Sequence, residues 1–326
     1  MARVGKRAGR NFGFGRQLSY AGPQALKDLI GDGHFATVKA HSDRWQVFVR
    51  WCRSEEGPRL NDARQIDREI LMRYAAYMRQ QVDQGNVGIA TAQNRLSSVN
   101  RTMAALRSDQ YVKIPSPSKA LGLQRSSVRG EAPQGQDRAQ IELIARALSE
   151  RGQQRVAAIV HLARETGMRL REAILADLPR LQREAGQLGK INIQDGTKGG
   201  RSGASAPRWI AITDQIRGAL DRAWEASPSR SRNLLAPNES YKEFMQSVVR
   251  PARDILHEHG LKGFHELRAA YACERYEQLI GFPAPVNGGR VRQEDRALDQ
   301  RARKQISHEL GHNRIDVVSA YIGGRR

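Results

Sequence analysis

Between Thr37 and Arg107 apolar residues recur at helical spacing. Trp45, Phe48, Val49 and Cys52 share one face, Ile66, Ile70, Leu71, Tyr74 and Met78 make a second stripe, and Leu96, Val99, Met103 and Leu106 a third. Recurrence at i, i+3, i+4 and i+7 predicts amphipathic helices that bury their stripes against one another. Residues 21–112 therefore read as a small helical bundle. The polar faces between the stripes carry Arg95, Arg101 and Arg107, free for water or a polyanion. Ahead of the bundle, "MARVGKRAGRNFGFGR" is basic, glycine-rich and without an acidic residue. Residues 1–20 read as a flexible arm.

Periodicity stops at residues 113–137, "KIPSPSKALGLQRSSVRGEAPQGQD", whose Pro, Ser and Gly content predicts an interdomain linker. Helical patterns resume in "RAQIELIARALSERG" and "QRVAAIVHLARETGM". Ile191 and Ile193 then alternate with polar residues, a Gly-rich turn follows, and Trp209 to Ile212 resumes an extended run, which predicts a β-hairpin. Two more helices follow, one with a kink at Pro251, and then a densely charged stretch, 291–305, that reads as a helix facing solvent or DNA. The fold class is mainly α, with residues 138–326 forming a second, mixed α/β domain around a small hairpin.

Composition narrows the function classes. Lys and Arg number 54 against 34 Asp and Glu, a formal net charge of +20. That excess favours a polyanionic partner, because each neutralised phosphate releases condensed counterions; a merely solvated basic surface is the plainer alternative. Cys52 and Cys273 stand far apart and outside any C-x-x-C pattern, as expected of two reduced thiols. No apolar run has membrane-spanning length and the N-terminus lacks a signal-peptide core. A cytoplasmic protein without a membrane partner is expected.

Near the C-terminus, "SHELGHNRIDVVSAYIGG" (307–324) supports two incompatible readings. His308-Glu309-Leu310-Gly311-His312 fits H-E-x-x-H, the zinc-peptidase pattern. Such a site needs a third protein ligand; Asp316 is the one candidate downstream, and Gly311 weakens a helix where both histidines must share a face. The other reading takes Leu310-Gly311-His312 together with Tyr321, nine residues on. Asn313 would cap a helix running through "RIDVVSAYI" to Gly323-Gly324. His308 receives no role, and His257 and His259 read as exposed helix-end residues.

Upstream, "TGMRLREA" (166–173), "GTKGGR" in the hairpin and "HELR" (265–268) precede "LGH" and Tyr321 in that order. This succession resembles the tyrosine recombinase, or phage integrase, family, most closely the prophage and mobile-element integrases of proteobacteria. The resemblance covers roughly 135–326. It implies that Arg169 and Arg268 grip a phosphodiester, that His312 donates to the same phosphate, and that Tyr321 is the nucleophile of a 3′-phosphotyrosyl intermediate. His265 would accept or stabilise the phenolic proton. Lys198, at the hairpin tip, would protonate the 5′-oxygen, although Lys190 precedes the same hairpin. Glu172 would orient the site. Taken singly, Arg169 is an ordinary surface ion-pair residue, His265 a capping or core histidine, and Tyr321 a packing residue; their joint order carries the argument.

The resemblance implies site-specific recombination of double-stranded DNA, with no metal, ATP or other cofactor. It further implies integration or excision of a mobile element, a tetramer on synapsed DNA in the bacterial nucleoid, and room for DNA-bending accessory proteins. Two rivals stand beside it: a catalytically silent DNA-binding protein with the same fold, and the zinc peptidase. The spacing from His265 to Tyr321 is longer than in compact members, the excess falling in 281–305, and five residues follow Tyr321. How protomers are coupled is left open at this point.

Overall fold

The computed structural model describes residues 9–197 and 207–325 and falls into two compact units, Met1–Ser126 and Ser127–Arg326. The first unit contains α1 (Leu18–Ile30), α2 (Phe35–Arg53), α3 (Arg68–Asp83), α4 (Ile89–Arg107) and α5 (Pro117–Leu121). Its core contains most of the predicted stripes, with Trp45, Phe48, Leu71, Tyr74, Met78 and Leu96 fully buried and Ile70 partly so, joined by Leu18 and Leu26 of α1. Phe48 meets the Tyr74 ring edge-on at 4.8 Å between centroids, a geometry that matches ring edge to ring face. Trp45 Nε1 donates to the Leu18 carbonyl at 3.0 Å, so the largest core side chain also satisfies its one polar atom.

Two segments depart from the sequence expectation. Within the expected arm, Asn11 is buried: its N–H donates to Asp62 Oδ1 at 2.9 Å, and its own Oδ1 accepts from Ala63 N–H at 2.7 Å. α1 begins at Leu18, inside that arm. Within the expected linker, Ser116 caps α5 with Pro117 at its first position, and Ile114 and Leu121 are buried in the first core. Both departures rest on partners remote in sequence, which local composition does not report.

The second unit is built around α7 (Gln154–Thr166), buried on nearly every face. α6 (Arg138–Glu150), α10 (Asp214–Ala226) and α13 (Phe264–Ile280) pack against it. α8 (Leu170–Leu175) and α9 (Leu178–Leu188) lead into β1 (Lys190–Asn192), which pairs antiparallel with β2 (Trp209–Ala211), Ile191 opposite Ile210. The expected kink falls beside α11 (Tyr241–Phe244): a π-helical turn, Met245–Val249, precedes α12 (Arg250–Glu258), whose second residue is Pro251. Proline has no N–H and crowds the preceding turn, so the ladder widens there.

α14 (Arg296–Glu309) packs on α13 and carries Asp299, Ala302, Arg303 and Ile306 into the interior, so the charged helix is half core rather than a wholly solvent- or DNA-facing one. The last predicted helix is also divided. Asn313 is left-handed (φ 54°) rather than a cap; a 3₁₀ turn, Ile315–Val318, follows, and α15 (Ser319–Ile322) is a single turn ending at Gly323. Among the described residues no helix is long and apolar enough to cross a membrane.

Gly22 offers a direct test of first-unit packing, because a Cβ there would stand 2.1 Å from Trp45 Nε1. Gly22→Ala should displace the indole and cost about 1–3 kcal/mol, the usual range for overpacking. Urea unfolding followed by tryptophan emission measures it; wild-type stability would contradict the packing described.

Candidate active site

Gly167 ends α7 with φ 63°, and a Cβ there would meet the Tyr271 ring at 2.5 Å, so only glycine fits this turn. Arg169 then stands just ahead of α8, and Glu172, three residues on, reaches back to accept from the Arg169 backbone N–H at 2.7 Å. Its other oxygen accepts from Arg169 Nη1 at 2.6 Å. The same carboxylate accepts from Arg208 Nη1 at 2.6 Å and lies 3.8 Å from Arg268 Nη1. Burial by itself would raise the pKa of this fully enclosed carboxyl. The guanidiniums of Arg208, Arg268 and Arg169 overcome that and hold it at about 2.

α13 carries His265 and Arg268 three residues apart, hence on adjoining positions of one helix face. Arg268 is 1% exposed and donates to the carbonyls of Gly167 and Leu310. Its Nη2 lies 3.2 Å from His312 Nε2, and its Nε donates to Tyr321 Oη at 3.3 Å. Arg169 Nη2 approaches the same His312 nitrogen at 3.4 Å. A guanidinium has no acceptor, so Nε2 carries the lone pair and His312 is neutral with its proton on Nδ1. The Tyr321 hydroxyl therefore donates to His312 Nε2, at 2.9 Å. Burial, then Arg268 and Arg169, push the His312 imidazole down to about 4.

His265 faces Tyr321 ring to ring at 5.3 Å, and the phenol makes its hydrogen bond to His312 instead. Arg169, Glu172, Arg268, His312, His265 and Tyr321 are thus brought together from four separate stretches of chain. Lys198 lies outside the described residues. Lys190 stands at the exposed start of β1 with its Nζ 4.8 Å from the Trp209 ring centroid. A cleft of about 400 Å³ opens beside the cluster, lined by Arg169, Thr197, Arg208, His308, His312 and Asn313.

Arg208 is the member that sequence reading missed. It is 3% exposed, and besides Glu172 it donates to the carbonyls of Glu309 at 2.5 Å and Gly167 at 3.1 Å. Its position directly before β2 was the sole signal available. The zinc pattern fails on geometry: α14 ends at Glu309, so His308 and His312 do not share a helical face, and the Glu309 carboxylate accepts from Tyr271 Oη at 2.8 Å and Arg275 Nε at 3.1 Å.

Two outcomes follow for stability. Glu172→Gln leaves buried guanidiniums short of their counter-charge and should cost about 3–5 kcal/mol, read from hydrogen exchange of the α7 and α13 amides. For His312, a folded value near 4 lies below the usual 6.5. Between these values the unfolded chain binds a proton that the folded chain does not, so stability falls as pH drops from 6.5 towards 4. His312→Phe should shallow that slope; an unchanged slope would place the proton elsewhere.

Residues 125–274 match a family model described as integrase. No curated protein matches the sequence. Among solved structures, a lambda integrase dimer bound to a COC′ core site is similar at 19% identity and TM-score 0.55, over 91% of this chain and 92% of that one. The Tn1549 transposon integrase in complex with circular-intermediate DNA is similar at 14% identity and TM-score 0.57, over 93% and 95%. A lambda integrase tetramer bound to a Holliday junction is similar at 17% identity and TM-score 0.51, over 89% and 72%. The integrase match thus covers the segment that carries α6 to most of α13, and the chain shares its fold with DNA-bound integrases across both units.

Proposed function

We propose that this protein is a site-specific DNA recombinase that cuts and rejoins duplex DNA through Tyr321. The observation that carries the reading is the hydrogen bond from Tyr321 Oη to neutral His312, set between Arg169 and Arg268. A phenol aimed at a base and flanked by two guanidiniums suits attack on a phosphodiester, whose non-bridging oxygens gain charge in the transition state.

In the proposed step the Tyr321 oxygen attacks phosphorus and the P–O5′ bond breaks, leaving a 3′-phosphotyrosyl link and a 5′-hydroxyl. The phenolic proton passes to an imidazole. His312 is the one already hydrogen-bonded, and His265 faces the ring from another side. Alone between cations His312 is a weak base, with a value near 4; a phosphate seated among the arginines would offset their charge and raise it. Lys198 is assigned to protonate the 5′-oxygen. Attack by a second 5′-hydroxyl on the phosphotyrosyl phosphorus reverses the bonds and frees Tyr321, so no ATP is consumed.

The net charge of +20 suits a duplex partner. By analogy with the lambda integrase tetramer on a Holliday junction, we assign a tetrameric assembly on paired sites. Movement of a mobile element is the biological use we favour, with bacterial cytoplasm as the setting and accessory DNA-bending proteins as further partners.

The deciding measurement is recovery of SDS-resistant protein–DNA adducts from expressing cells, with sequencing of the attached DNA. Wild type should give adducts at one sequence, in the presence of EDTA as in its absence, and Tyr321→Phe none. Arg169→Ala should lower the yield about 10²–10³-fold, the usual effect of removing one preorganised donor. Adducts that persist in Tyr321→Phe would overturn the nucleophile; none in wild type, with DNA binding intact, would favour the catalytically silent rival.

A further inference from the structure

α14 holds a second buried ionic cluster, separate from the one around Glu172. Asp299 is fully buried and Arg303, one turn on, is 3% exposed. Asp299 Oδ1 accepts from Tyr276 Oη at 2.7 Å and from Arg303 Nε at 2.8 Å, and Oδ2 accepts from Arg325 Nε at 2.7 Å. Arg303 Nη1 then donates to Ser319 Oγ and to the Gly323 carbonyl, each at 3.2 Å. Ser319 opens α15 and Gly323 follows its last residue, so one guanidinium nitrogen spans the single turn that bears Tyr321. Arg325, just beyond that turn, ties the outgoing chain to the same carboxylate.

A buried ion pair is weak evidence of a stabilising role, since well-packed apolar residues of similar volume often do as well. Here Arg303 Nη2 also has no hydrogen-bond partner among the described residues, a cost that an apolar side chain would not carry. What the pair supplies is direction: Asp299 fixes the guanidinium plane, and the guanidinium fixes both ends of a turn too short to hold itself. Other contacts touch this turn at single points, Arg129 N–H on the Ser319 carbonyl at 2.9 Å and Cys273 Sγ against the Tyr321 carbonyl at 3.7 Å. Arg303 is the side chain that bridges its two ends.

We propose that Asp299 and Arg303 are positioning residues that clamp the Tyr321 turn, holding the phenol in line with Arg268 and His312. The assignment of a catalytic consequence rests on Tyr321 being the nucleophile; the clamp itself does not.

The test uses the full chain and two variants. Asp299→Asn/Arg303→Met removes both charges together, leaving no lone buried ion. Arg303→Lys keeps a charge beside Asp299 but cannot span Ser319 and Gly323. In both, amides of 319–323 should exchange at least tenfold faster, while those of α7 and α13 keep wild-type protection. Adduct yield in cells should fall at least tenfold, with retention on a mixed-sequence duplex unchanged. Wild-type exchange at 319–323 in the Lys variant, or faster exchange spread equally over α7, would overturn the clamp. Should the double variant unfold, the Lys variant decides alone. If wild type itself forms no adducts, the recombinase reading fails while the exchange data still judge the clamp.

Discussion

The site depends on one buried carboxylate. Glu172 has no exposed surface, and three arginines converge on it from the residue before α8, the residue before β2, and α13. Guanidiniums this close would repel one another strongly in a medium of low dielectric. The carboxylate offsets that repulsion while leaving Arg169 and Arg268 with donors to spare. Arg268 shows how crowded the cations are: burial and the neighbouring Arg208 lower it to about 10, still well above neutrality. Glu172 and Arg268 therefore both stay charged through the physiological range.

Geometry around that carboxylate is set by backbone as much as by charge. The Gly167 carbonyl accepts from both Arg268 and Arg208, and the carbonyls at the end of α14, from Glu309 and Leu310, accept from the same two side chains. Helix-end carbonyls lack intrahelical partners and carry partial negative charge. Here they serve as further anchors for buried cations. Gly311, left-handed at φ 65°, turns the chain immediately afterwards with Arg208 Cδ 3.1 Å from where its Cβ would be. His312 is thereby delivered to the arginines, and Tyr321 to His312.

How much of this was legible depended on the range of the forces involved. The stripes of the first unit were readable because helix periodicity is local, and Trp45, Phe48, Tyr74 and Leu96 are the core they forecast. The i, i+3 spacing of His265 and Arg268 was readable for the same reason. Asn11, Ile114 and Leu121 were misjudged, since their anchoring partners sit elsewhere in the chain. The charged stretch of α14 was read as solvent-facing because sequence shows charge without showing what neutralises it; Asp299, Arg303 and Arg325 neutralise one another.

What the sequence determined by itself is the helical class, the break between two units near the Pro/Ser-rich stretch, and the order of arginine, histidine, arginine, histidine and tyrosine. Residue type and local spacing specify these directly. Tertiary structure alone decided that Arg208 shares Glu172, that the Tyr321 hydroxyl meets His312 rather than His265, and that Arg303 spans the turn that bears Tyr321. Each is a contact between side chains brought together from distant elements, and its existence turns on distances of about 3 Å that no local pattern encodes.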